Sequence, residues 1–250
     1  METIPLWLPP LFFLIALLYA TVGFGGGSSY LAVLALIGLP YQAIPQTALV
    51  CNLIVSAGGV WHFRRRGHLD LAKILPFVIL SIPMAYLGGR LEVGRQFFMM
   101  LLGVSLLAAA ARTFIPGQRG AATRRSLSVA KAYWVGLPVG GLLGLLAGVV
   151  GIGGGIFLAP VLLLSGWADA KQTAATASVF ILVNSGAGLV GQVAKGVYLN
   201  EMILPLALAV ILGGQIGSRV GSYHLPMMGV RRLIATLILL VSLRLIWGAI

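Results

Sequence analysis

The chain has 250 residues, of which 59% are hydrophobic and 9% charged, with a mean hydropathy of +1.02. A soluble domain carries about a quarter charged residues, so the composition excludes a soluble fold and marks an integral membrane protein. The formal net charge of +12 lies in short loops between apolar runs, which argues against a nucleic-acid partner and for orientation in a lipid bilayer.

Apolar runs of about 18 residues or more recur along the chain, as an all-α polytopic membrane bundle requires. The polar–apolar alternation of a β-barrel is absent. The start, Met1-Glu2-Thr3, lacks the basic region of a cleavable signal, so the first run is expected to remain a span. In chain order the predicted helices cover residues 5–22, a short piece 28–38, then 42–63, 71–89 and 95–115. A basic stretch with Arg119, Arg124, Arg125 and Lys131 follows. Beyond it the predicted helices cover 132–150, a short piece 156–166, then 172–194, 201–220 and 229–249. The expected organisation is a first transmembrane repeat at 1–115, a basic cytoplasmic linker at 116–131 and a second transmembrane repeat at 132–250.

Two clusters interrupt this pattern, Gly23-Phe24-Gly25-Gly26-Gly27 and Gly151-Ile152-Gly153-Gly154-Gly155, and a shift of 128 residues superposes them. A shift of 129 aligns residues 47–92 with 176–221 without a gap. Thr47 then meets Thr176, Ser56 meets Ser185, Leu75-Pro76 meets Leu204-Pro205 and Arg90 meets Arg219. Shared apolar bias would align leucines, not Thr, Pro and Arg together. The chain therefore reads as a duplication, the organisation of many secondary transporters.

The first half has no Lys or Arg before Arg64-Arg65-Arg66, whereas the equivalent second-half loop, residues 193–200, holds only Lys195. Opposite charge character in equivalent loops predicts two inverted repeats of five helices, with basic loops cytoplasmic and both termini outside. The short helices strain this count. About 11 residues at 1.5 Å each cover roughly 16 Å, half a bilayer core, which leaves open whether they span or re-enter.

Glycine clusters at membrane depth leave backbone groups that protein, water or ligand must satisfy. The helix after each one points free N–H groups and the positive end of its dipole at the break. Two such ends facing a common centre favour an anion, so Gly25, Gly26, Gly27, Ser28, Gly153, Gly154 and Gly155 are candidate substrate contacts. Close helix packing is the alternative role for any one glycine. Neither cluster is a G-x-G-x-x-G or a P-loop, and no strand precedes either.

Thr47 and Thr176 begin the helices after the short pieces and can donate to oxyanions, with Gln46, Asn52, Ser178 and Asn184 as neighbours. Back-bonding to the helix is the competing role of such hydroxyls. The acidic residues, Glu2, Asp70, Glu92, Asp169 and Glu201, all fall at predicted helix ends or loops. A mid-span carboxylate for cation coupling is thus missing, and proton coupling is left open. Arg90 and Arg219, at helix ends, read as interfacial side chains or as attractors at the pathway mouths. Cys51 reads as a buried inert thiol and His62 as interfacial. Gly136, Gly140, Gly144 and Gly148 form a ridge for close helix contact. No cofactor, metal motif or catalytic constellation is present in the sequence, which disfavours an intramembrane enzyme.

GIGGGIFLAP at 151–160, followed by TAATASVFILVNSGAGLVGQ at 173–192, resembles the signature of the sulfite exporter TauE/SafE family, also called toluene-sulfonate uptake permeases. The resemblance covers nearly the whole chain. The first half departs from the signature, with Ala32 where the second has Pro160. The resemblance implies transport of small sulfur oxyanions (sulfite, thiosulfate or organosulfonates) across the plasma membrane, the bacterial inner membrane. A carrier using alternating access is the leading expectation and an anion channel on the same fold the alternative. Neither coupling ion nor oligomeric state follows from the sequence.

Overall fold

The computed structural model describes residues 5–114, 129–165, 167–196, 203–223 and 228–247. These form ten helices: α1 (Leu8–Ala20), α2 (Gly27–Leu36), α3 (Ala43–Arg65), α4 (Leu71–Arg90), α5 (Arg95–Phe114), α6 (Val129–Val150), α7 (Gly155–Leu164), α8 (Ala170–Ala194), α9 (Ile203–Tyr223) and α10 (Met228–Trp247). The fold is all-helical. Helices α3, α4, α8 and α9, and residues 132–150 of α6, are long and apolar enough to cross a membrane. Most of the predicted linker, with Arg119, Arg124 and Arg125, lies outside the described residues, as do Glu2 and Glu201.

Boundaries follow local chemistry. The Asp70 carboxylate accepts from Ala72 N–H at 3.2 Å and starts α4. Asp169 starts α8 through a capping box with Gln172, accepting from the Gln172 N–H at 2.8 Å. Both carboxylates are therefore helix caps, and Asp70 Oδ2 also lies 3.8 Å from Lys73 Nζ. Lys73 donates to Gln172 Oε1 at 3.0 Å, which holds the starts of α4 and α8 at one end of the bundle.

The helices pair in a pattern that is kept when α1–α5 are exchanged with α6–α10. Helix α4 packs on α6 as α9 packs on α1, and α4 packs on α8 as α9 packs on α3, while α3–α8 and α5–α10 cross between halves. Small residues make these seams close. A Cβ at Gly140 would run into the Phe77 carbonyl, at Gly144 into that of Ser81 and at Gly148 into that of Ala85. The glycine ridge of α6 is thus a packing surface against α4. The same register recurs where Gly88 lies on the Leu145 carbonyl and Gly217 on that of Leu17, positions again 128 and 129 residues apart. Gly140→Leu is expected to lower the thermal midpoint in detergent, because overpacking a tight seam costs about 1–3 kcal/mol.

Gly59 of α3 faces Ser178 of α8, and Gly188 of α8 faces Leu49 of α3, so these two helices run antiparallel. Gly23 lies against Ala174, near the start of α8, while α2 feeds into the start of α3 at the other end. Gly151 lies against Pro45, near the start of α3, while α7 feeds into the start of α8. Each glycine cluster with its short helix therefore runs from one end of the bundle to the other. Four non-helical residues add at most about 14 Å to the roughly 15 Å of a ten-residue helix, close to the ~30 Å of a bilayer core. That reach is compatible with a broken crossing made of each cluster and its short helix.

The outer faces carry Leu75, Ile79, Ile82 and Leu87 on α4 and Leu204, Leu208, Ile211 and Leu212 on α9, all exposed. Such apolar faces suit lipid, and Trp61, Trp134 and Trp247, also exposed, suit the interface. Arg65 lies 4.4 Å over the Trp61 ring and Arg66 lies 3.6 Å over Tyr223. Arg90 and Arg219 are both exposed at helix ends.

Candidate functional site

The two glycine segments meet at Asn52, in the middle of α3. Its Nδ2 donates to the Gly151 carbonyl at 3.1 Å, and the residue is fully buried. A Cβ on Gly25 would strike Asn52 Oδ1. One on Gly27 would lie 2.5 Å from Asn52 Nδ2 and 2.8 Å from the Ile152 carbonyl. One on Gly153 would lie 3.1 Å from Asn52 Nδ2 and 3.5 Å from Ser185 Oγ. Only glycine lets the two backbones and this side chain come so close.

The helix starts are set by left-handed residues. Gly26 has φ +91° and caps α2, and Gly153 and Gly154 have φ +77° and +74° before α7. L-residues with a Cβ pay to adopt that region. Ser29 and Tyr30 both donate to the Gly26 carbonyl, and Phe157 and Leu158 to that of Gly154. The amides of Gly27, Ser28, Gly155 and Ile156 are thus the free donors of the two helix starts. Gly155 packs on Ile181 and Gly27 on Asn52, residues that the 129-residue shift makes equivalent. Asn52 is the polar member of an otherwise symmetrical pair.

Unpartnered polarity collects here. Asn52 Oδ1, which faces Gly25 and Gly27, and Ser185 Oγ, which faces Gly153, are buried without a hydrogen-bond partner. Removing such groups from water is costly unless something pairs with them. No lysine, arginine, aspartate or glutamate touches the junction in the contacts above. What it offers is hydroxyl, amide and two helix-start dipoles.

The remaining predicted residues separate. Ser178 Oγ donates to the Gly23 carbonyl at 3.0 Å and to Ala174 at 2.9 Å, tying α8 to the start of the first segment. Ser28 Oγ lies 3.3 Å from Tyr19 Oη. Thr47 donates to the Ala43 carbonyl of its own helix at 3.0 Å, the back-bonding role. Thr176 is buried on α8. Asn184 donates to the Phe180 carbonyl at 2.8 Å and sits one turn from Gly188, which packs on Gly148 of α6. Ser185 is the residue that sequence reasoning left out of the site. Its equivalence to Ser56 and its place one turn after Ile181, the Asn52 equivalent, were the available signals. Cys51 is buried and free, and His62 Nε2 lies 3.0 Å from Gln215 Oε1 on the exposed side of α3. Among the described residues, no cluster of His, Cys, Asp or Glu suits a metal ion.

Two interrupted helices thus meet beside Asn52 inside an apolar helical bundle. The family model for the sulfite exporter TauE/SafE family matches residues 8–245, and the chain belongs to that family. It is 36% identical over 247 residues to "Probable membrane transporter protein y4hK" of Sinorhizobium fredii (strain NBRC 101917 / NGR234), covering 99% of this chain and 100% of that one. It is 28% identical over 199 residues to "Probable membrane transporter protein ORF9" of Sinorhizobium sp, covering 78% and 75%. No solved structure matches. The chain is a multi-pass membrane transporter of this family.

Proposed function

We propose that the protein is a secondary transporter that moves a small sulfur oxyanion (sulfite, thiosulfate or an organosulfonate) by alternating access, with the glycine junction as its binding site. One observation carries the reading: two free helix starts, from the segments Gly25–Gly27 and Gly153–Gly155, converge beside Asn52 and Ser185. Amide hydrogens, hydroxyl and side-chain amide suit an anion, and their lack of fixed charge suits release as well as capture. The antiparallel course of the two broken segments supports an inverted repeat, with units at 1–115 and 132–250. The Arg64–Arg66 turn then lies on the cytoplasmic face of the bacterial inner membrane, with both termini outside.

Flux into proteoliposomes tests the reading, with sulfite, thiosulfate and ethanesulfonate in parallel, each with and without a pH gradient. Saturable flux of at least one anion above protein-free vesicles is expected, and the gradient arm reports proton coupling. Flux of none would contradict the reading.

A further inference from the structure

A pocket of about 220 Å³ opens at the end of the bundle where α3 starts and α4, α6 and α8 finish. Its wall includes Tyr41, Gln42, Glu92, Gln192 and Lys195, and its apolar side includes Pro45 and Val149. Pro45 is the residue that Gly151 packs against, and Val149 precedes Gly151 by two positions. The pocket therefore ends at the entrance to the second glycine segment.

Among the described residues, the opposite end of the bundle, related by the 129-residue shift, is lined differently. Phe63 stands where the pocket has Gln192, and it is 1% exposed, packed on Ala174 and Ala175. Ser222 stands where the pocket has Val93, and it is buried, with its carbonyl accepting from Lys171 Nζ at 3.4 Å. Arg66 stands where the pocket has Lys195, and it is stacked on Tyr223. Gln46, buried with both amide atoms unpartnered, stands where the opposite end has Ala175. Among the described residues, Phe63 fills at one end the place that Gln192 borders at the other.

Lys195 is the cation of the pocket wall. Its Nζ donates to the Leu91 carbonyl at 3.1 Å, which fixes it beside Glu92. Burial draws the ammonium below the ordinary lysine range, while the Glu92 carboxylate acts to raise it. Tyr41 is the other titratable group of the wall.

We propose that this pocket is the mouth of the transport path and an outer oxyanion subsite, in which Lys195, assisted by the Gln42 amide, receives the anion before the glycine junction, while Gln192 Nε2 holds the wall by donating to the Gly148 carbonyl at 3.1 Å. The proposal rests on the reading of the protein as an oxyanion carrier. Glu92 weakens the subsite by like charge, so capture stays reversible.

Thiol alkylation of the full chain in detergent tests the subsite without requiring transport. In a Cys51→Ser background, Val93→Cys and, separately, Tyr41→Cys report the pocket, and Ser222→Cys reports the Phe63 end. The probes are ethanesulfonate and sulfate, neither of which reacts with thiol or maleimide. The two pocket cysteines should be alkylated much faster than Ser222→Cys, and at least one probe should slow them. Lys195→Gln should raise the half-protecting concentration about tenfold, the scale of a lost hydrogen bond to a charged group. Lys195→Arg should restore protection, and Glu92→Gln should lower that concentration. Equal alkylation at both ends, protection by neither probe, or protection indifferent to Lys195→Gln would overturn the proposal. A chain protected in this way that moves no anion in vesicles would keep the subsite and lose the transport reading.

Discussion

Gly154→Leu is expected to reduce oxyanion flux to the level of protein-free vesicles while the protein still inserts. Gly154 has φ +74°, a region that costs an L-residue with a Cβ about 1–2 kcal/mol. Its Cβ would also lie 2.8 Å from Phe180 Cε1 and 3.3 Å from the Leu143 carbonyl. The backbone cannot keep its turn with a leucine there, so the start of α7 must swing away from the junction. The seams that hold the bundle, α4 on α6 and α9 on α1, lie elsewhere and persist. Gly94→Ala serves as the control, because nothing lies within 4 Å of its Cβ and its φ is not positive. Flux per inserted molecule should be unchanged in the control and absent in Gly154→Leu. Normal flux in Gly154→Leu would remove the helix start from the mechanism.

Asn52→Leu has the second large effect, for a different reason. Its equivalent in the other half is Ile181, which packs beside Gly155 as Asn52 packs beside Gly27. The fold therefore accommodates an aliphatic side chain at this position, and the variant should fold and insert. The Gly151 carbonyl loses its 3.1 Å partner, at a cost of about 1–3 kcal/mol. The junction loses the amide that joins the two segments, and flux should fall to background. A variant that is merely unstable would show low yield with normal flux per folded molecule, so the two quantities are measured together. Retained flux would make Asn52 a packing residue.

Much of the fold was legible because membrane helices announce themselves by length and apolarity. The predicted 71–89 and 42–63 became Leu71–Arg90 and Ala43–Arg65. Helix α6 begins at Val129 rather than 132, and α8 at Ala170 rather than 172, where the Asp169 capping box sets the start. The glycine clusters were legible as breaks, because nothing else interrupts apolar helices so fully. The site was less so. Thr47, Asn52 and Asn184 look alike in sequence, as polar residues on apolar helices. Only their bonding directions separate them: Thr47 and Asn184 donate to their own helices, and Asn52 donates across to Gly151. Periodicity places such a side chain on a face but does not say whether its partner lies one turn back or on another segment. The pocket at Lys195 was hidden for a related reason. It depends on a difference between the halves, Phe63 at one end against Gln192 at the other, rather than on a motif.

Locating a bound anion tests the central claim most directly. Selenite has the shape and charge of sulfite, and its selenium can be placed by anomalous diffraction from crystals of the full chain. The account predicts a peak between Gly25–Gly27 and Gly153–Gly155, within hydrogen-bond reach of Asn52 or Ser185. Glycine segments found apart, or selenium bound only at sites remote from both them and the Lys195 pocket, would contradict it.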